Sequence, residues 1–292
     1  MNDLVNQLNA LCDEQPFHTG WFLKDLRTGQ TASHLGDVVV PSASTRKIAI
    51  LMAALKAVNE GRLALDQPVT IDAKYQNNSS GTFQHLRPGF TITFEDALVM
   101  MIIVSDNTCT GQVADLVGLA QVQALSDAVG MVGTTHRLGI PLNGLSRDHP
   151  LDVVNTTTPN DVGLLLDLIL QGSTDADAAS RLGCTPALCQ LALDILSKQR
   201  LRNRLPAFLP EGTRVANKTG TGLRNNNDAG IVYQGEAPIF ILSVYCDGFP
   251  EDFPDMPGYA RAGLLIGRLG RVCWDTLTEP VATPKLAGAT SG

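Results

Sequence analysis

Three short groups of residues carry chemistry that needs partners: Ser44-Thr45-Arg46-Lys47, Ser105-Asp106-Asn107 and Lys218-Thr219-Gly220. Ser44 and Lys47 stand three apart, a spacing that puts both on one helix face within reach of each other. A serine hydroxyl alone is a poor nucleophile, and a lysine serves as its base when desolvation and nearby cations lower its pKa. The apolar stretch that follows, through Ile48, Leu51, Met52 and Leu55, supplies the desolvation and places Ser44 at or near a helix N-terminus. Free N–H groups and the helix dipole there favour the negative charge that develops on an attacked carbonyl. In this order the three groups read as a serine acyl-transfer site.

Each group alone has a plainer reading. Ser44 suits an N-cap, Ser105 suits the cap of a helix beginning near Thr108, and Lys218-Thr219-Gly220 suits an ordinary turn. Their surroundings favour the chemical reading. Ser105-Asp106-Asn107 links two apolar helical runs, so its polar groups must find partners or face a site. Lys218-Thr219-Gly220 ends a strand whose edge offers backbone groups to an extended substrate, with Gly220 permitting close approach.

The elements that position these groups follow from periodicity. Leu4, Leu8 and Leu11 form a helical stripe, and Phe17 to Leu26 and Gln30 to Leu35 read as two strands turning around Arg27-Thr28-Gly29. Two strands are not stable alone, and the next strand-like segments lie far along the chain, at Thr213 to Lys218, Ala229 to Gln234 and Pro238 to Cys246. Between them apolar residues recur at helical spacing over Ile48–Val58, Phe94–Val104, Thr108–Val117, Val122–Val129, Val162–Leu170 and Leu188–Leu196. Gly263 to Cys273 reads as a last helix, and the tail from Thr283 as frayed or disordered. The expected organisation is an α/β domain from residues 1-40 and 205-292, an all-helical domain from 41-204, and the site in the cleft between them.

At 292 residues, 44% hydrophobic and 17% charged, the chain has the profile of a globular protein with a substantial core. A net charge of -7 without any run of Lys or Arg argues against nucleic acid or an anionic membrane as partner and leaves a small-molecule or peptide substrate. Met1 to Gln15 lacks the basic start and apolar block of a signal peptide, so the expected location is cytoplasmic, or periplasmic or secreted if a signal has been trimmed. The six cysteines and five histidines show no zinc-like spacing, so neither a metal nor another cofactor is expected. The cysteines read as free buried thiols, with pairing of Cys12 and Cys273 open if the terminal helices lie side by side.

From about Gly20 to Arg271 the chain resembles the class A β-lactamase branch of the serine β-lactamase and penicillin-binding protein superfamily. The likeness rests on the three groups in order and on Ile102-Ile103-Val104-Ser105-Asp106-Asn107-Thr108, Thr156-Thr157-Thr158-Pro159, and Asn217-Lys218-Thr219-Gly220 followed by Asp228-Ala229-Gly230-Ile231-Val232. It implies an α+β, β-lactamase/transpeptidase-like fold: a five-stranded antiparallel sheet flanked by the terminal helices, with an inserted all-helical domain. It also implies roles. Ser44 would be the nucleophile, Lys47 its base, and Ser105 a proton relay tuned by Lys218. Asn107 would hold the substrate side chain, Thr219 and Thr221 would contact a substrate carboxylate, and the N–H groups of Ser44 and Thr221 would form the oxyanion hole. Gly220 and Asn143 would belong to the substrate-binding set, and Arg224, offset from the family's usual place, is a candidate carboxylate anchor.

One departure divides the cycle. The family carries a glutamate in an E-x-x-L-N sequence that orients the water of deacylation. The local match is Gly139-Ile140-Pro141-Leu142-Asn143, with glycine in the glutamate's place, and no glutamate occurs between Glu95 and Glu211. Asp148, His149 or Asp152 could substitute, although that turn-rich stretch suits them better to holding their loop through ion pairs and turns. The expected function is a serine hydrolase acylated on Ser44 by a lactam, amide or ester and deacylated without the usual glutamate. The alternative is a penicillin-binding or sensing protein that keeps its acyl group.

Overall fold

The computed structural model describes residues 1–278. Leu4, Leu8 and Cys12 give α1 (Asn2–Asp13) its buried stripe. The chain then enters the hairpin of β1 (His18–Asp25) and β2 (Thr31–His34). Its bend is closed by Asp25, which accepts from Arg27 N at 3.0 Å and Thr28 Oγ1 at 2.9 Å. A two-residue strand, β3 (Val40–Pro41), leads to α2 (Lys47–Asn59), which is apolar on every side and correspondingly buried from Lys47 to Leu55.

After α2, the pair β4 (Pro68–Thr70) and β5 (Thr91–Thr93) brackets a long loop. Helices α3 (Phe94–Ile103), α4 (Asn107–Val117) and α5 (Leu119–Val129) follow and pack around α2. A second long loop ends at β6 (Thr156–Thr157), which pairs with β3. Then come α6 (Pro159–Gly172), α7 (Ala176–Arg181) and α8 (Pro186–Ser197). Threonine caps set the starts: Thr93 forms a capping box with Asp96, while Thr158 and Thr185 each precede a proline in the first turn.

The chain closes with β7 (Val215–Thr221), β8 (Asn225–Gln234), β9 (Ala237–Asp247) and α9 (Gly258–Leu277). The sheet order is β2-β1-β9-β8-β7, antiparallel throughout, so the first hairpin completes a sheet whose other strands come last in sequence. Both faces are covered, and β9 shows it by alternation. Ile241 and Tyr245 face the helical core with Ile48 and Leu166, while Leu242, Val244 and Cys246 face a second core with Leu4, Leu8, Ile266 and Cys273.

Two expectations, on the start of β8 and on the end of β7, are amended. The short α7 had no periodic signal, and β8 starts at Asn225 instead of Ala229. Lys218-Thr219-Gly220 lies within edge strand β7 and not at its end. Helices α1 and α9 do pack together, yet Cys12 and Cys273 are both free, as are the other four cysteines. The tail from Thr283 falls outside the described residues. Among the described residues no helix is long and apolar enough to cross a membrane.

Candidate active site

Ser44 sits in a 3-10 turn, Ala43–Arg46, that runs directly into α2. Ala43 holds φ +44, a left-handed conformation that costs a Cβ-bearing residue energy, so neighbours must impose it. The sheet does so. Tyr245 Oη donates to Thr45 Oγ1 at 2.9 Å, and Asn227 Nδ2 donates to the carbonyls of Pro41 (2.9 Å) and Ser42 (3.3 Å). Gly220 in β7 lies so close that a Cβ there would stand 3.0 Å from Ser42 O and 3.1 Å from Thr45 Cγ2. Only glycine lets the strand approach the serine's turn this way.

Lys47 is 1% exposed and donates from Nζ to Ser105 O (2.8 Å), Ser105 Oγ (3.1 Å) and Asn107 Oδ1 (2.8 Å). Burial first, then the charges of Lys218 and Arg46, push its pKa well below the ordinary lysine value. The first and second groups are thereby joined at one nitrogen. Ser105 itself takes φ +57 in the link between α3 and α4, which turns its carbonyl and hydroxyl toward that nitrogen. The cap of α4 is Asp106, not Ser105: its carboxylate accepts from Cys109 N at 2.9 Å. Its other oxygen accepts from Thr82 N (2.7 Å) and Phe83 N (2.8 Å), holding the loop that presents Ser79 and Ser80.

Lys218 is fully buried in β7 and donates to Thr219 O at 2.9 Å. Burial, reinforced by Arg204 and opposed by Asp228, lowers its pKa to about 7. Arg204 was not singled out in the sequence. Its guanidinium donates to Gly220 O and Asn227 O at 2.7 Å each and to the Thr221 hydroxyl, so a buried cation underlies the strand. Glycines on α9 admit it: a Cβ at Gly267 would meet Arg204 O at 3.0 Å, and one at Gly270 would meet Leu205 O at 2.8 Å.

The far wall is the loop between Arg137 and Asn155. At its neck Asn155 Oδ1 accepts from Arg137 N (2.7 Å) and Leu138 N (3.0 Å), and Asn155 O accepts from Ser42 N at 2.9 Å. Its other end is fastened by Arg147, which donates to the carbonyls of Leu223 and Phe249. His149 meets Ser146 O through Nδ1 at 2.7 Å. Carbonyls, not the expected ion pairs of Asp148 and Asp152, close this loop.

Ser44, Ser105, Asn107, Asn143, Thr219 and Thr221 line one cleft of about 720 Å³, with Lys47 and Lys218 beneath its floor and Gly220 in its wall strand. Asn143 is exposed at the mouth, donating to Asn77 O at 3.4 Å across the gap. Arg224 is a correction. It does not line the cleft, because its guanidinium pairs with Asp247 at 3.1 Å and reaches Arg147 O.

The family model described as the β-lactamase enzyme family matches residues 3–277. The chain belongs to the β-lactamase enzyme family. A β-lactamase of Streptomyces lavendulae is 26% identical over 277 residues, covering 92% of this chain and 87% of that protein. The β-lactamase regulatory protein BlaB of Streptomyces cacaoi is 24% identical over 312 residues, covering 94% and 98%. The crystal structure of a β-lactamase from Sphaerobacter thermophilus superposes with a TM-score of 0.80 at 26% identity, covering 94% of this chain and 97% of that one. The fold is thus the β-lactamase/transpeptidase-like one, and the protein is a β-lactamase-like serine hydrolase.

Proposed function

We propose that the protein hydrolyses a lactam, amide or ester through an acyl-enzyme on Ser44. The observation that carries this reading is the three-acceptor clasp on Lys47 Nζ, which draws Ser105 and Asn107 to the base of the turn holding Ser44. Lys47, once neutral, takes the Ser44 proton as Oγ attacks the acyl carbon. The N–H groups of Ser44 and Thr221 bind the oxyanion. Ser105 then passes a proton to the leaving nitrogen or oxygen, in the field of Lys218. Thr219 and Thr221, with Arg204 beneath them, hold a substrate carboxylate, while Asn107 and Asn143 contact the acyl side.

In this reading residues 1-40 with 205-292 and residues 41-204 act as two units with the reaction between them. The substrate is a small molecule or short peptide, in a cytoplasmic setting. Deacylation is by water without the family's glutamate.

A second reading is favoured by the cleft lining, which holds no aspartate or glutamate among the described residues. The protein would then acylate once and stay acylated, as a sensor or sequestering protein. Mixing the protein with a chromogenic cephalosporin while following its intact mass separates the two. Hydrolysis expects colour release in many equivalents with the mass returning to the unmodified value. Sequestration expects one equivalent and a lasting adduct, and no adduct with no colour removes both.

A further inference from the structure

We infer that His149 is the base of deacylation, its Nε2 taking a proton from the water that releases the acyl group; this rests on acylation at Ser44 as proposed above. Among the described residues that line the cleft, only Arg46 and His149 carry a guanidinium, imidazole, ammonium or carboxylate. An arginine has no lone pair to offer, so only the imidazole can accept a proton from water there. Lys47 and Lys218 lie beneath the floor, and Lys47 Nζ already faces three acceptors on the Ser44 side. His136 is no alternative, because it does not line the cleft and its Nδ1 is sealed from solvent. Elimination therefore leaves His149.

The turn fixes the ring in the form a base needs. His149 N and Nδ1 both meet Ser146 O, at 3.3 and 2.7 Å. A carbonyl only accepts, so Nδ1 bears the hydrogen and Nε2 keeps the lone pair of the neutral ring. Nε2 has no hydrogen-bond partner among the described residues, yet it is not one of the buried unpaired polar atoms, so it is open to solvent. The residue is 6% exposed and borders the cleft, which makes the cleft the side it opens to. Its loop is anchored on both sides of it next to the reacting groups: Asn155 O accepts from Ser42 N at 2.9 Å, and Arg147 donates to the carbonyl of Leu223, two residues beyond Thr221. In the step, the water oxygen bonds to the acyl carbon while its proton passes to Nε2. The imidazolium returns that proton through cleft water to Ser44 Oγ as the ester bond breaks, leaving the free acid and the serine.

The test is a time course with excess chromogenic cephalosporin, sampled by acid quench so that acyl-enzyme present during turnover is trapped and weighed by intact-protein mass spectrometry. The native protein should release colour in many equivalents while part of it carries the adduct. His149→Asn keeps an N–H donor near the place of Nδ1, for Ser146 O, but has no basic nitrogen. It should still give a one-equivalent burst, then accumulate the Ser44 adduct with a lifetime longer by about 10²-fold or more. His149→Gly should do the same and recover turnover in added imidazole, a response that a role confined to holding the loop would not give. An adduct lifetime unchanged in His149→Asn overturns the inference and puts release on Lys47, and a native adduct that never decays also overturns it. Turnover that survives in Ser44→Ala, or neither colour nor adduct from the native protein, would instead sink the acylation reading itself.

Discussion

The two walls of the cleft differ in how completely their polar groups are matched. On the Ser44 side Lys47 has three acceptors, the Asp106 carboxylate three donors, and Asn225 and Asn227 brace the serine's turn from the sheet. Opposite them the loop from Leu138 to Leu145 is largely apolar and leaves one guanidinium N–H unanswered. Acylation needs a base, a relay and an oxyanion hole, and in the mechanism proposed above all three come from the first wall. Releasing the acyl group needs a water and something to take its proton, and the second wall offers no carboxylate. On the proposed mechanism the contrast assigns the two half-reactions of one cycle to separate elements, which substitutions can then alter independently.

The largest break of this contrast is Ser44→Ala. It should abolish the adduct and lower turnover by roughly 10⁴-fold or more, read by intact mass and by product release. Lys47→Met should slow acylation by roughly 10²–10⁴-fold while leaving the fold in place by circular dichroism. The pH profile sharpens the same point. Protonated Lys47 cannot accept the Ser44 proton, so acylation should rise with pH through a midpoint well below that of an ordinary lysine. Because Lys218 is the second cause of the depression, Lys218→Ala should move that midpoint upward; an unchanged midpoint would exclude Lys47 as the base.

Gly139→Glu tests the poorer wall. Adduct lifetime should fall by about 10²-fold if a carboxylate is what the loop lacks. An unaltered lifetime would mean that deacylation already runs through another group. The smallest expected effect is on packing. Gly220→Ala puts a Cβ within 3.0–3.2 Å of Ser42 and Ala43 atoms, and should cost about 1–3 kcal/mol in a denaturant titration together with slower acylation.

Much of this was legible because the signals are local. The all-apolar run of α2 announces a buried helix, and the three ordered groups announce their chemistry without any structure. The start of β8 was not legible, for a physical reason. Asn225-Asn226-Asn227-Asp228 reads as a loop, since strands normally bury apolar side chains, yet all four are buried. They are tolerated because each has a distant partner: Pro41 O, Tyr259 O, Ser42 O and the Asn217 amide. Arg204 was hidden likewise, standing in Leu201-Arg202-Asn203-Arg204 beside another arginine that bonds Thr213 O away from the site. Nothing local distinguishes the arginine beneath the site from its neighbour.

The order of the sheet has a consequence for how the protein comes into being. Trp21 in β1 pairs with Val244 in β9, and the turn bearing Ser44 is clamped by side chains of β8 and β9. Such distant pairings are closed late and slowly in folding, because the chain entropy lost in bringing the ends together is large. The serine therefore acquires its geometry only after the last strand has docked. During synthesis the nascent chain carries all of Ser44, Lys47 and Ser105 long before it can use them, so covalent labelling of Ser44 would report completion of the whole fold.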